Sequence, residues 1–231
     1  MTKYDLMREP LLSANIRNSL LRGTGEVLED SEEGIFVYEP LGHVYFLMAE
    51  TETGKRWLMA HEDREYDLIV LYDDALIAFA GERYGMEYDE KCKQVVWTRP
   101  EPPVRDRQLT LRPAAEADFE LCRSIYHGSS DADLRGSLSA GAVLLGFWGD
   151  TLIGMVGMHT EGSMGMLEVL PAYRRRGFGT ELEKALIERQ LSLGLVPYGQ
   201  VYLSNAASFA LQASLGMECS EGTLMWMWKK S

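Results

Sequence analysis

The chain reads as short apolar runs separated by glycine, proline and acidic clusters. Runs at 26–29 and 35–39 flank Asp30-Ser31-Glu32-Glu33-Gly34 and predict a hairpin. Further strands are predicted at 44–49, 67–71 and 94–98, with a helix over 73–84 that Gly85 stops in a left-handed cap. Beyond residue 105 a strand at 109–112 precedes helical spacing at 115–127 and a short helix at 131–138. Runs at 143–148 and 151–158 flank Gly149-Asp150, a tight-hairpin signal. A strand at 164–170 leads to a helix over 178–193 with Leu182, Leu186, Ile187 and Leu191 on one face. A strand at 198–203, a helix at 205–215 and a strand at 224–228 complete the pattern. The alternating Met225-Trp226-Met227-Trp228 reads as core rather than as a cofactor box.

Arg99-Pro100-Glu101-Pro102-Pro103 interrupts this pattern. Proline removes the ladder donor and restricts the residue before it, so the segment reads as a stiff linker. It divides the chain into lobes at 1–104 and 105–231. A shift of 131 residues aligns 70–99 with 201–230 without a gap. Val70 meets Val201, Ala75 meets Ala206, Gly85-Met86-Glu87 meets Gly216-Met217-Glu218, and Trp97 meets Trp228. Two related lobes with mixed sheets are expected, an α/β architecture of α+β type.

Composition changes the picture only where it excludes. The 231 residues are 46% apolar and 25% charged, values that exclude disorder. The net charge of −12 argues against a nucleic-acid footprint, which needs many cations on phosphates. Residues 1–105 carry 12 basic and 21 acidic side chains, so most of the acidity belongs to the first lobe. The acidic 29–33 stretch reads as a solvated hairpin. Cys92, Cys122 and Cys219 are scattered without CxxC spacing, which fits a reducing cytoplasm and no metal site. No apolar signal core opens the sequence and no run is long enough to span a membrane.

The chemistry concentrates in Leu167-Glu168-Val169-Leu170-Pro171-Ala172-Tyr173-Arg174-Arg175-Arg176-Gly177-Phe178-Gly179-Thr180. A strand ends at proline, a basic turn follows, and two glycines open an amphipathic helix. Glycine lets backbone approach a ligand, and the helix's first N–H groups have no intrahelical partner. Together they make an anion site, most naturally for phosphate. No P-loop pattern is present, and Leu182 occupies the place of a dinucleotide fingerprint's third glycine.

This segment resembles the GNAT superfamily of acyl-CoA-dependent N-acyltransferases. Arg174, Gly177 and Gly179 match its Arg/Gln-x-x-Gly-x-Gly/Ala motif, behind Leu167, Val169, Pro171 and Tyr173. Asn205, Ser208, Gly216 and Met217 match a second motif, and the resemblance covers 107–231. The 198–205 segment is similar to the glycine N-acyltransferase branch, which also has a degenerate first lobe. The resemblance implies a GNAT-type fold in two tandem lobes, the second catalytic and the first, without a basic glycine turn, binding no CoA. It implies that acetyl-CoA is held by the backbone from Arg175 to Thr180, including Gly177, Phe178 and Gly179. Arg174, Arg175 or Arg176 would add charge. Leu167 and Val169 would pair their backbone with pantetheine, and Asn205, with Ser208, would meet the CoA arm or simply cap its helix.

Attack of an amine on a thioester needs a base. The family's usual glutamate position holds Ser163, and the tyrosine position of its acid holds Gln212. Glu161 stands first as base, on the face of Ser163 if the strand is regular. His159 and then Glu168 follow, Glu168 facing the other side unless a bulge intervenes. Tyr202 and Ser204 are substitute acids. The expected partner is a small-molecule amine or amino acid, attacked in a ternary complex, with no nucleic acid or membrane. A monomer or homodimer is expected. A protein or peptide amine is the second acceptor class, and a CoA-binding sensor without chemistry the reading from another class.

Overall fold

The computed structural model describes residues 2–107 and 109–229. The last position of the internal repeat, Lys230, lies outside them. The first lobe contains α1 (Ala14–Arg22), β1 (Glu26–Ser31), β2 (Gly34–Glu39), β3 (Val44–Ala49), α2 (Thr51–Ala60), β4 (Leu68–Leu71), α3 (Asp74–Tyr84), β5 (Met86–Tyr88) and β6 (Cys92–Val96). After the proline segment come β7 (Thr110–Pro113), α4 (Phe119–Ile125), α5 (Asp131–Ser139), β8 (Val143–Trp148), β9 (Thr151–Met158) and β10 (Met164–Val169). The chain continues through α6 (Phe178–Ser192), β11 (Tyr198–Tyr202), α7 (Ala206–Leu215), β12 (Glu218–Cys219) and β13 (Met225–Lys229).

The expected α/β architecture is present. Gly85 caps α3 with φ 66°, and Gly216 caps α7 with φ 85°, as a left-handed stop requires. Four elements escaped the reading of the sequence, the short strands β5 and β12 and the helices α1 and α2. The α1 segment is mostly polar and α2 contains Gly54 and two threonines, residues of low helix propensity that weaken the helix signal. The burial of α1 is polar for a reason: Asn15, Asn18 and Ser19 are fully buried and bond across the molecule.

The six-stranded sheet runs β1-β2-β3-β4-β13-β5 and the seven-stranded sheet β12-β6-β11-β10-β9-β8-β7. The sheets thus exchange strands across the proline segment. β6 pairs antiparallel with β11 and β12, while β13 pairs antiparallel with β4 and β5. The exchange follows the internal repeat: each strand–helix–strand unit closes on the other copy's final strand. Met225 and Met227 enter the core over α2 and α3, so the Met-Trp alternation is structural there. The second sheet buries Phe178, Leu182 and Leu186 of α6 on one face. Its other face packs Phe119, Cys122, Leu134 and Leu138 of α4 and α5. Each fully buried apolar side chain of this size contributes roughly 1.5–3 kcal/mol.

A polar seam around α1 joins the two sheets. Gln94 Nε2 donates to Asn15 Oδ1 at 2.8 Å, and the Tyr72 hydroxyl donates to the same oxygen at 2.8 Å. Arg22 Nη2 donates to the Thr160 carbonyl at 3.0 Å, and Asn18 Nδ2 to the Gly162 carbonyl at 3.4 Å. Helix α1 therefore fixes the β9–β10 turn, where the candidate base lies.

Candidate functional site

The basic glycine turn has the geometry that an anion site needs. A 3-10 turn at Pro171–Tyr173 ends β10's run, Arg175 has φ 56°, and Gly177 caps α6 with φ 81°. A side chain at Gly177 would be strained by that φ alone. The Glu181 N–H bonds the Gly177 carbonyl, which leaves the N–H groups of Phe178, Gly179 and Thr180 as the helix's free donors. Arg175 and Arg176 are exposed beside them, and the Arg176 guanidinium stacks 5.5 Å from the Tyr173 and Phe178 ring centres. Arg174 is placed differently. Its Nε donates to the Val169 carbonyl at 2.9 Å and its Nη2 lies 3.4 Å from Glu168, so it braces β10. A fourth cation was not singled out in the sequence. Arg107, from the linker, sits 5.2 Å from the Phe178 ring centre. No motif marks it, because linker and turn meet only in the fold.

β10 and β11 run parallel but pair only at Met164 and Gly199. Beyond that point they part, and a cleft of about 370 Å³ opens, lined by Leu167, Glu183, Gln200, Asn205, Ser208 and Gln212 among others. Leu167 and Val169 pack on the α6 side, with Val169 3.6 Å from where a Gly179 side chain would begin. Asn205 Oδ1 accepts from the Ser208 N–H at 3.0 Å, an N-cap at the cleft's rim.

Three buried side-chain atoms along this cleft lack partners: Glu183 Oε2, Gln212 Oε1 and Gln200 Nε2. Burial pushes the Glu183 carboxyl up to about 7, and a hydrogen bond with Gln212 pulls it back only in part. Glu183 and Gln200 were missed because a single glutamate or glutamine in a helix or strand carries no sequence signal.

At Met164, Gly165, Leu167 and Gln200 the cleft continues into a cavity of about 530 Å³ between the lobes. Gly42, Leu68, Cys92 and Trp226 of the first sheet's side form one wall. Tyr126, Asp133, His159, Glu161, Ser163 and Tyr202 stand on the other. Glu161 is 7% exposed and lies in the turn before β10, not on a strand, so strand parity does not place it. The turn does so instead: His159 N–H donates to the Ser163 carbonyl at 2.9 Å and Gly162 N–H to the His159 carbonyl at 2.9 Å. The Ser163 hydroxyl donates to Glu161 Oε1, and no other side chain among the described residues bonds that carboxylate. The Tyr198 hydroxyl supports the Glu161 carbonyl at 3.3 Å. Gly42 is required here, since a Cβ would come within 2.8 Å of the Glu161 Cβ.

A bulge does intervene in β10. The register shifts between Gly165 and Glu168, and Met166 has φ 51°. Met166 then enters the α4–α5 core while Leu167 faces α6. Glu168 and Glu161 both act on the Tyr126 hydroxyl, which burial, then Glu168, then Glu161 hold above its ordinary range. The bulge thus brings Glu168 to the cavity's side of the strand. His159 lies over β10, where a side chain at Gly165 would meet its Nε2. The Tyr202 phenol is raised by burial and by Cys92, Asp89 and Glu90. Ser204 is engaged elsewhere, its hydroxyl donating to Glu90 at 2.6 Å. Tyr126 and Asp133 come from the α4–α5 segment and had no motif to announce them.

Among the described residues, no group of His, Cys, Asp or Glu could hold a metal ion, and no helix is long and apolar enough to cross a membrane. Residues 108–217 match the Acetyltransferase (GNAT) family. No curated protein matches the chain in sequence. Among solved structures, a Drosophila protein superposes with TM-score 0.66 at 17% identity, covering 85% of this chain and 74% of its own. A GNAT-family acetyltransferase from Novosphingobium aromaticivorans superposes with TM-score 0.55 at 17% identity, covering 98% and 100%. A tandem GNAT protein of the clavulanic acid biosynthesis pathway gives TM-score 0.50 at 13% identity, covering 94% and 88%. At these identities the structures speak for the fold, which is the GNAT fold.

Proposed function

We propose, from the match of residues 108–217 to the GNAT acetyltransferase family, that the chain moves an acetyl group from acetyl-CoA to a primary amine of a small molecule. The observation that carries this reading is the continuity of three parts. The helix start with its free N–H groups lies against Leu167 and Val169, Leu167 also borders the cleft between the parted strands, and that cleft opens at Gly165 and Gln200 onto a cavity holding Glu161. The residues fit the cofactor. Free N–H groups at Phe178–Thr180 with Arg175, Arg176 and Arg107 suit a pyrophosphate. The free edge of β10 and the unpartnered side-chain atoms suit the amides of pantetheine.

When bound, acetyl-CoA supplies an activated carbonyl. The chain's own task is then to orient an amine and take its proton. Glu161 is the base in this reading, with the Ser163 hydroxyl fixing its carboxylate and α1 fixing its turn. His159 lines the same cavity, Glu168 acts on Tyr126 at its wall, and the two are the next candidates. Tyr202, a phenol that keeps its proton at neutral pH, stands on the cavity wall as the donor toward the leaving sulfur. The first lobe supplies the acceptor's other wall through Gly42, Leu68 and Cys92, joined by Trp226 of the exchanged strand β13.

Thiol release from acetyl-CoA against a panel of amines tests the reading. Glu161→Gln is expected to lower kcat by about 100-fold or more, with CoA affinity in calorimetry unchanged. Tight CoA binding without turnover of any amine would support the sensor reading instead.

A further inference from the structure

We propose that Glu183 binds the arm of the acyl donor as a neutral carboxylic acid, in one clamp with Gln212 and Gln200, so that cofactor binding takes up a proton. The inference rests on the reading that the β10–β11 cleft holds acyl-CoA.

An unpartnered polar atom in a protein interior costs about 1–3 kcal/mol. Three such atoms along one cleft form a built site: Glu183 is 3% exposed and Gln212 8% exposed, both inside the cleft between α6, α7, β10 and β11. Their chemistry is complementary to amides. Gln212 Oε1 can accept an amide N–H, and Gln200 Nε2 can donate to an amide carbonyl. Pantetheine brings two amides, each with one donor and one acceptor. Glu183 could serve either way, accepting if ionised or donating its O–H if neutral.

The surroundings decide for the neutral form. From α7 the group facing Glu183 is Gln212, and β10 and β11 contribute Met164, Leu167, Gly199 and Val201 to the same cleft. No Lys, Arg or His among the described residues pairs with Glu183. On its own helix, Lys184 is taken by Asp106 at 2.7 Å and Glu181 at 3.1 Å. The free carboxyl already titrates near 7 because of burial. A ligand that covers the cleft removes its remaining water and brings several negative phosphate charges. Both effects favour the uncharged acid. The sign follows: the free protein is mostly ionised above pH 7, the complex is protonated, and binding takes up a proton there. Affinity is full below about 7 and falls by up to tenfold per pH unit above it.

Calorimetry of CoA binding between pH 6.5 and 8.5, in buffers of different ionisation enthalpy, reads this directly. The native protein is expected to take up close to one proton at pH 8 beyond that of Glu183→Gln. The variant corrects for titration of CoA's own phosphate and is expected to bind with nearly flat affinity. Equal proton uptake by both proteins would overturn the inference while leaving the cofactor reading intact. No CoA binding by the native protein at any pH would overturn both. Should Glu183→Gln fail to fold, carboxyl ¹³C titration of the native protein replaces it. One buried carboxyl should titrate near 7 in the free protein and stay protonated to pH 8.5 with CoA. A carboxyl that titrates alike with and without CoA would overturn the inference. Gln212→Leu should weaken CoA binding by about threefold to tenfold and keep the proton uptake; unchanged affinity would remove Gln212 from the clamp.

Discussion

The two lobes follow one plan and part company where a central strand hands over to a helix. In the first lobe β3 ends at Ala49, Glu50 precedes α2 directly, and β3 pairs with β4 at three consecutive positions. In the second lobe β10 ends at Val169, a basic turn intervenes, and the parallel pairing with β11 stops after one position. The first arrangement is closed and carries glutamates at the helix start. The second is open and carries arginines. The difference teaches that the candidate site is built by withholding pairing. Backbone groups freed in this way must find other partners, and an extended ligand with amides can provide them.

The sharpest way to break this comparison is to close the open lobe. Arg176→Glu with Gly177→Trp reverses charge and blocks the amides, and CoA affinity in calorimetry is expected to fall by at least about 100-fold, given how strong charge-assisted contacts to phosphate are. Glu50→Gln in the first lobe should change it less than about twofold. A second CoA bound per chain in the same calorimetry would mean that the first lobe also holds CoA.

A second test uses the exchanged strands. Met227 is fully buried in the first sheet's core, and Val95 lies in the second's. Met227→Ala should cost about 2–5 kcal/mol, and Val95→Ala less. Each loss should register first in the sheet on the other side of the proline segment. Hydrogen exchange checks this: if Met227→Ala loosened β9 and β10 before β3 and β4, the pairing would be wrong.

The smallest effect is electrostatic and sits in the second lobe. Arg112 at 2.8 Å, helped by the Ala115 N–H, holds the Asp118 carboxyl down to about 2. A depressed carboxylate contributes stability above its ordinary range near 4, and loses it as pH falls toward 2. The pair is largely solvent-screened, so Asp118→Asn should lower Tm by only about 1–3 °C at pH 7. The difference should vanish near pH 2.

Much of the fold was legible because period and punctuation agree. The hairpin at Gly149-Asp150, the caps at Gly85 and Gly216 and the apolar stripe of α6 all obey local rules. The basic glycine turn was legible too, since its glycines and arginines are contiguous. What escaped was assembled at long range. Helix α1 looks unpromising by itself because its polar residues are satisfied by partners distant in sequence, among them Glu39, Gln94, Tyr72 and the Gly162 turn. Glu161 was placed by a strand argument, but a hydrogen-bonded turn positions it. The β10 bulge at Met166 reversed the facing of Glu168, and nothing in that residue type announces a bulge. The strand exchange was implicit in the repeat, yet the repeat cannot say whether each unit closes on its own last strand or its twin's.

The exchange has a consequence for how the protein is made. On a ribosome, β1 to β5 emerge long before β13, the strand that β4 and β5 share between them. The first sheet must wait, its central edge uncovered, until nearly all described residues have been synthesised. Contacts so distant in sequence form slowly, and an uncovered edge invites pairing with a neighbouring chain. Nascent chains of this protein are therefore expected to depend on chaperone cover until the second lobe is complete, and neither lobe can be expressed as an independent domain by cutting at the prolines.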